Sequence, residues 1–163
     1  MSVNHYQPHV FVLPEDDANR QIVNGFILDI NLNDRTIQVL PPAGGWKKVV
    51  EKFTNDYAST MRKYPYRMII LLIDFDEDKD RLNYVKHQIP DDLKNRVFVI
   101  GVLSEPETLR RDINKNFEKI GEALAQDCSD NTNELWGHEL LKHNNTELDR
   151  LISSVKPFLF NLK

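Results

Sequence analysis

Six consecutive apolar residues, Met68 to Ile73, run directly into Asp74, and no other stretch of the 163-residue chain constrains the fold as strongly. The run is far too short to cross a bilayer, and it reads as a strand buried on both faces. Strands covered on both sides belong to parallel sheets, whose neighbours are joined by helical crossovers. Val10 to Leu13, stopped by Pro14, and Val97 to Leu103 are runs of the same kind. Thr36 to Leu40, ended by Pro41-Pro42, reads as a fourth strand.

Between these runs the apolar period becomes helical. Ala18, Ile22, Phe26 and Ile30 recur every four residues, with Val23 and Ile27 widening the stripe. They predict a helix from Asp16 to Asn31, capped by Asp16 or Asp17. Ala43-Gly44-Gly45 is a tight connection into a helix from Trp46 to about Tyr64, with Val49, Val50, Phe53, Tyr57 and Met61 on one side and Pro65 closing it. A shorter helix from Asp78 to Gln88 turns Leu82 and Val85 inward. Ser104, at capping-box spacing from Glu107 and followed by Pro106, opens one long helix with the stripe Leu109, Ile113, Phe117, Ile120 and Leu124. Beyond the polar loop from Ser129 to Asn133, helical segments carry Leu135, Trp136, Leu140 and Leu141, then Leu148, Leu151, Ile152 and Val155. Phe158 to Phe160 reads as a last strand.

The alternation predicts an α/β fold: a three-layer sandwich with a mainly parallel four- or five-stranded sheet and helices on both faces. The length suits one domain over residues 1–163, with a core at 8–126 and a helical C-terminal extension at 133–163. With 40% hydrophobic and 28% charged residues, the composition is that of a globular protein rather than a disordered one. The lone Cys128 forms no internal disulfide, and residues 1 to 9 lack a signal-peptide pattern, so a cytoplasmic protein without membrane contact is expected.

A net charge of -4 argues against a stand-alone nucleic-acid binder, but the acids are concentrated. Eight of the 25 fall in two clusters, Glu15-Asp16-Asp17 and Asp74 to Asp80, leaving 17 acids against 21 bases elsewhere. Both clusters follow apolar strands, and in open parallel sheets ligands bind beyond the carboxyl ends of the strands. If the strands are neighbours, Glu15 and Asp74 share one cleft. Asp76, two residues on along an extended backbone, then points the same way. Converging carboxylates repel one another unless a cation joins them, and hard oxygen ligands of this kind suit Mg²⁺ or Mn²⁺.

Val10-Phe11-Val12-Leu13-Pro14-Glu15 and Ile69-Ile70-Leu71-Leu72-Ile73-Asp74-Phe75-Asp76, separated by a helix, a strand and a helix, resemble the TOPRIM domain of topoisomerases, primases and overcoming-lysogenization-defect nucleases. The resemblance covers residues 8 to about 105. Pro42-Ala43-Gly44-Gly45 after the second strand, and Glu105 and Glu107 after the fourth, are similar to nuclease-type members. The likeness implies an Mg²⁺-dependent phosphodiester-cleaving domain with Glu15, Asp74 and Asp76 as catalytic residues. Glu15 would be an acid/base or metal ligand and Asp74 and Asp76 metal ligands, with Asp78, Glu105 and Glu107 as further candidates. It implies DNA or RNA as substrate. A small chain with no basic face is expected to act with a partner ATPase or as a homodimer, docking through the helices from Leu135 to Val155. Many members place Gly after the Glu, where this chain has Asp16.

Two alternatives stand beside this reading. Response-regulator receiver domains resemble the chain in Asp16-Asp17, Asp74, Ser104 and Lys156-Pro157-Phe158, which implies a phosphoacceptor at Asp74. A catalytically inactive TOPRIM-like interaction protein is the other. Other motifs carry less. The histidines of His138-Glu139-Leu140-Leu141-Lys142-His143 are five apart, about 140° around a helix, so they do not form a zinc pair. Ala43 to Lys48 lacks the length and the Ser/Thr of a phosphate-binding loop. Cys128 has no His near it in sequence, and Trp46 and Trp136 read as helix-packing residues.

Overall fold

A computed structural model describes residues Val3 to Asn161. Four strands, β1 (His9–Pro14), β2 (Ile37–Val39), β3 (Arg67–Leu72) and β4 (Val97–Ile100), form one parallel sheet in the order β2-β1-β3-β4. Val10 pairs with both Ile37 and Met68, and Leu72 pairs with Ile100. The chain steps from β1 outward to β2 and then back past β1 to β3, so the connections leave the adjacent central strands β1 and β3 in opposite directions.

Continuous apolar strands are the signature of a sheet covered on both sides, and alternate residues divide between two cores. Phe11, Leu13, Ile69, Leu71, Val97 and Val99 face α2 (Trp46–Lys52), α3 (Ala58–Lys63) and α4 (Lys79–His87). Val10, Val12, Ile70, Leu72, Phe98 and Ile100 face α1 (Asp17–Phe26), α5 (Pro106–Ile113), α6 (Phe117–Asp130), α7 (Asn145–Ser154) and α8 (Lys156–Leu159). The result is the expected three-layer α/β sandwich with four strands. No helix of the described residues is long and apolar enough to cross a membrane.

Several boundaries differ from the expectation. Helix α1 stops at Phe26 instead of Asn31, because the Asp29 carboxylate accepts the Asn31 N–H and starts a turn; Ile30, expected inward, lies in solvent. The long helix expected from Ser104 is two helices. Asn114 takes a left-handed conformation (φ 53°), which Asn tolerates, and the Asn116 side chain accepts the Lys119 N–H to start α6. The capping box does not form: Glu105 holds the N-cap position without a side-chain bond, and the Ser104 hydroxyl is buried without a partner. Helices α2 and α3 join through a π-helical turn, Phe53–Tyr57, into the one long rod expected there. The expected last strand is mostly α8, with one antiparallel bridge from Phe160 to Leu32.

The C-terminal segment is part of the core. Leu135, Trp136, Leu141, Leu148, Leu151 and Val155 are all buried against the sheet and α6. Helix α7 also closes the free edge of β4 with side chains. Asn144 bonds the N–H and C=O of Gly101, Glu147 Oε2 accepts the Val99 N–H, and Arg150 donates to the Val97 carbonyl. Helix positions three apart thus match strand positions two apart, running antiparallel.

Candidate metal centre

Glu15 and Asp74 lie just past the ends of β1 and β3, at the point where the connections diverge and where open α/β sheets place their ligands. The ladder extends one step beyond the strands, with the Glu15 N–H donating to Leu72 O at 2.8 Å. The Glu15 carbonyl accepts from Gly44 N at 2.9 Å and Gly45 N at 3.2 Å. Gly44 and Gly45 have φ of 96° and 140°, which a residue with a Cβ rarely adopts, so the turn that clamps Glu15 requires them.

Carboxylate oxygens of Glu15, Asp16 and Asp74 lie within 4.8 Å of one another, forming a group that could hold a metal ion. Asp16 serves two purposes. It caps α1, accepting the Asn19 N–H at 3.0 Å, and its carboxylate completes the cluster. Asn19, wholly inaccessible, donates from Nδ2 to Asp74 Oδ1 at 2.8 Å and to Asp16 Oδ1 at 2.9 Å. Two buried acceptors beside these bonds have no partner, Glu15 Oε1 and Asn19 Oδ1.

The electrostatics follow from that crowding. Burial, then the proximity of the Glu15 carboxylate and the Asp16 charge, push the Asp74 carboxyl up to about 8 against the opposing bond from Asn19. Burial also raises Glu15, with Asp16 adding to the effect while the bond to Asp74 and the Arg81 charge oppose it. Without a cation, the two buried carboxyls therefore retain protons that isolated ones would lose. Arg81 is the adjacent base. It donates from Nη1 to the Asp74 carbonyl at 2.7 Å and stacks 4.5 Å over the Trp46 ring, which Tyr84 meets edge-on at 5.6 Å.

The other expected site residues lie elsewhere. Asp76 and Glu77 are left-handed (φ 48° and 55°) and exposed, so the backbone is not extended after Asp74 and Asp76 does not join the group. Asp78 caps α4 by accepting the Asp80 N–H. Glu105 and Glu107, in the first turn of α5, are also outside the group. Ser104 stays close to the segment after β3, its carbonyl accepting the Asp76 N–H. Lys156 does not. Its Nζ donates to Asn131, at the C-terminal end of α6.

Asp16, expected as a helix cap, and Asn19 and Arg81 are site residues that the resemblance to TOPRIM domains does not announce. Asn19 had a detectable signal: it is a polar residue in the first turn of an amphipathic helix, four residues after Glu15 and three before the inward Ile22. Arg81 had none, since arginines on short helices usually face solvent. Comparison of the chain with protein-family models, with curated protein sequences and with solved structures yields no match to any of them.

Proposed function

We propose that the chain is a TOPRIM-like, Mg²⁺- or Mn²⁺-dependent domain that cleaves phosphodiester bonds in DNA or RNA, with the cation held by Glu15, Asp16 and Asp74. The observation that carries this reading is the convergence of the Glu15, Asp16 and Asp74 carboxylates, with Glu15 Oε1 buried and facing no N–H donor. Buried polar atoms in native proteins nearly always have partners, and orphaned acceptors among acids want a cation. The donor set is all oxygen, which fits a hard divalent ion rather than zinc.

When bound, such an ion polarises a phosphodiester and stabilises charge on the leaving oxygen. The chain's own groups do the rest. Asn19 fixes the carboxylates of Asp16 and Asp74 in one orientation, and the clamp from Gly44 and Gly45 fixes the backbone of Glu15. Glu15, whose carboxyl burial raises above the usual glutamate value, is the group placed to deliver or accept a proton. Arg81, Trp46 and Tyr84 provide a basic and aromatic rim beside Asp74, of the kind that holds a phosphate and stacks a base. With a net charge of -4, the chain is suited to share its substrate with a partner ATPase or a second copy rather than grip it alone.

The test is cleavage of single- and double-stranded DNA and RNA with Mg²⁺ or Mn²⁺, against a chelator control. Asp74→Asn should abolish cleavage and weaken Mn²⁺ binding while the fold, followed by circular dichroism, stays intact. Undiminished cleavage by that variant refutes the assignment, and Mn²⁺ binding without cleavage of any of the four substrates supports the inactive interaction protein instead.

A further inference from the structure

One face of the sheet has a local gap in its packing. Against α2, α3 and α4, Ile69, Leu71 and Ile73 are wholly inaccessible. On the opposite face Val10 and Phe98 are equally inaccessible, but Ile70 and Ile100 keep 9% exposure and Leu72 keeps 8%, although α1, α6 and α7 cover them. An apolar chamber of about 110 Å³, open to solvent past Ile152, lies over the middle of the sheet, with Val12, Ile70, Leu72 and Ile100 on one side and Leu124 and Leu151 on the other. Protein interiors normally pack as densely as organic crystals, and a void removes contacts from every atom that lines it. Water has no hydrogen-bond partner on such a wall, so hydrocarbon suits it better.

The chamber has a polar neighbour. Cys128, Trp136, Leu148, Ile152 and Lys156 line both the chamber and a recess of about 360 Å³. The recess adds the side chains of Asn131, Thr132, Asn133, Asn145 and Asp149. Lys156 lies at the junction with its Nζ donating to Asn131, and Ile152 lies there with 41% of its surface in solvent. The Asp127 carboxylate in the recess is already committed, accepting from the Thr132 hydroxyl and from the N–H groups of Glu134, Leu135 and Trp136.

We propose that chamber and recess together bind a small amphiphile, its short hydrocarbon end against Val12, Ile70, Leu72 and Ile100 and its polar end among the asparagine amides and Lys156. An apolar cavity of ~150 Å³ admits benzene, so the smaller chamber of about 110 Å³ suits a tail of a few carbons. This site is independent of the metal centre: Glu15, Asp16, Asn19 and Asp74 line neither space.

The test is methyl NMR of the full chain titrated with n-butanol, butyrate and benzene. The methyls of Val12, Ile70, Leu72 and Ile100 should shift saturably while those of Ile69, Leu71 and Val99, on the opposite face, stay in place. Leu151→Phe, which fills the chamber, should weaken butanol binding by at least about tenfold while the thermal midpoint is kept or raised. Should that variant not fold, xenon added to the natural chain must shift the same methyls. A butyrate response lost in Lys156→Gln identifies an anionic head, and a response confined to butanol or benzene identifies a neutral one; both support the site. No methyl response to the three probes or to xenon overturns it.

Discussion

Asp74 is the residue on which pH acts most directly. Its carboxyl stands at about 8 in the folded chain, pushed there by burial and then by Glu15 and Asp16, against an ordinary value of 3.8. Between those values the folded state holds a proton that the unfolded chain has released. The stability from this group is therefore fully present below pH 4, declines through the interval and is gone above pH 8. His9 and His143 act in the opposite sense, since burial lowers both below the usual histidine value of 6.5 and their contribution is lost in acid. The Asp74 effect is cleanest between pH 6.5 and 8, where metal-free protein should lose about 1–2 kcal/mol on going alkaline. Urea unfolding should show Asp74→Asn more stable than the natural chain at pH 8 and nearly flat across that range. Asn19 is the second test, because its Nδ2 joins two of the acids. Asn19→Ala should cost about 1–3 kcal/mol in urea unfolding and weaken Mn²⁺ binding, followed calorimetrically, roughly 10- to 100-fold. Glu15 and Asp74 were legible in the sequence because each follows an apolar run, and a strand's end is local information. Asp76 was misplaced because the left-handed turn at Asp76 and Glu77 depends on tertiary bonds, from Asp76 N to Ser104 O and Glu77 N to Leu103 O.

Among the elements, α7 has the most to lose from one substitution. Glu147 is buried, accepts the Val99 N–H, and is bonded by both Lys86 and Arg150, so one carboxylate joins α4, α7 and the edge of β4. Glu147→Ala leaves a strand N–H and two cations without their acceptor, and should cost about 3–5 kcal/mol by urea unfolding. The same substitution uncovers part of an edge strand, the commonest template for unwanted pairing. Light scattering should accordingly show the variant self-associating at concentrations where the natural chain does not. The apolar stripe of α7 was visible in sequence, yet its polar seam was not: Asn144, Glu147 and Arg150 look like any solvated face until a strand edge is laid beside them. The fused helix expected from Ser104 failed for a related reason. Leu109, Ile113, Phe117, Ile120 and Leu124 keep one period across the break at Asn114, because both helices pack on the same core.

For the molecule as a whole, the parallel three-layer plan was readable because buried strands with helical crossovers admit few arrangements, and the order β2-β1-β3-β4 then brings the ends of β1 and β3 together. The apolar chamber was not readable, since it depends on how closely α1, α6 and α7 settle on the sheet rather than on any local pattern. A cation held by the Glu15, Asp16 and Asp74 group would couple metal binding, protonation and global stability. A cation that binds only the folded state at 100 times its dissociation constant adds about 2.7 kcal/mol, or roughly 5–10 °C for a chain of this size. Protons compete for the same oxygens. With Asp74 at about 8, lowering the pH from 8 to 6 places two tenfold steps of proton against the ion. At an unchanged Mn²⁺ concentration the gain should shrink to about 1–2 °C. Differential scanning calorimetry should thus show Mn²⁺ raising the thermal midpoint strongly at pH 8 and weakly at pH 6. In Asp74→Asn the increment should be small at both values, because the group that exchanges proton for cation is gone. An increment that is equal at pH 6 and pH 8 in the natural chain would mean that the ion binds groups other than the buried carboxyls.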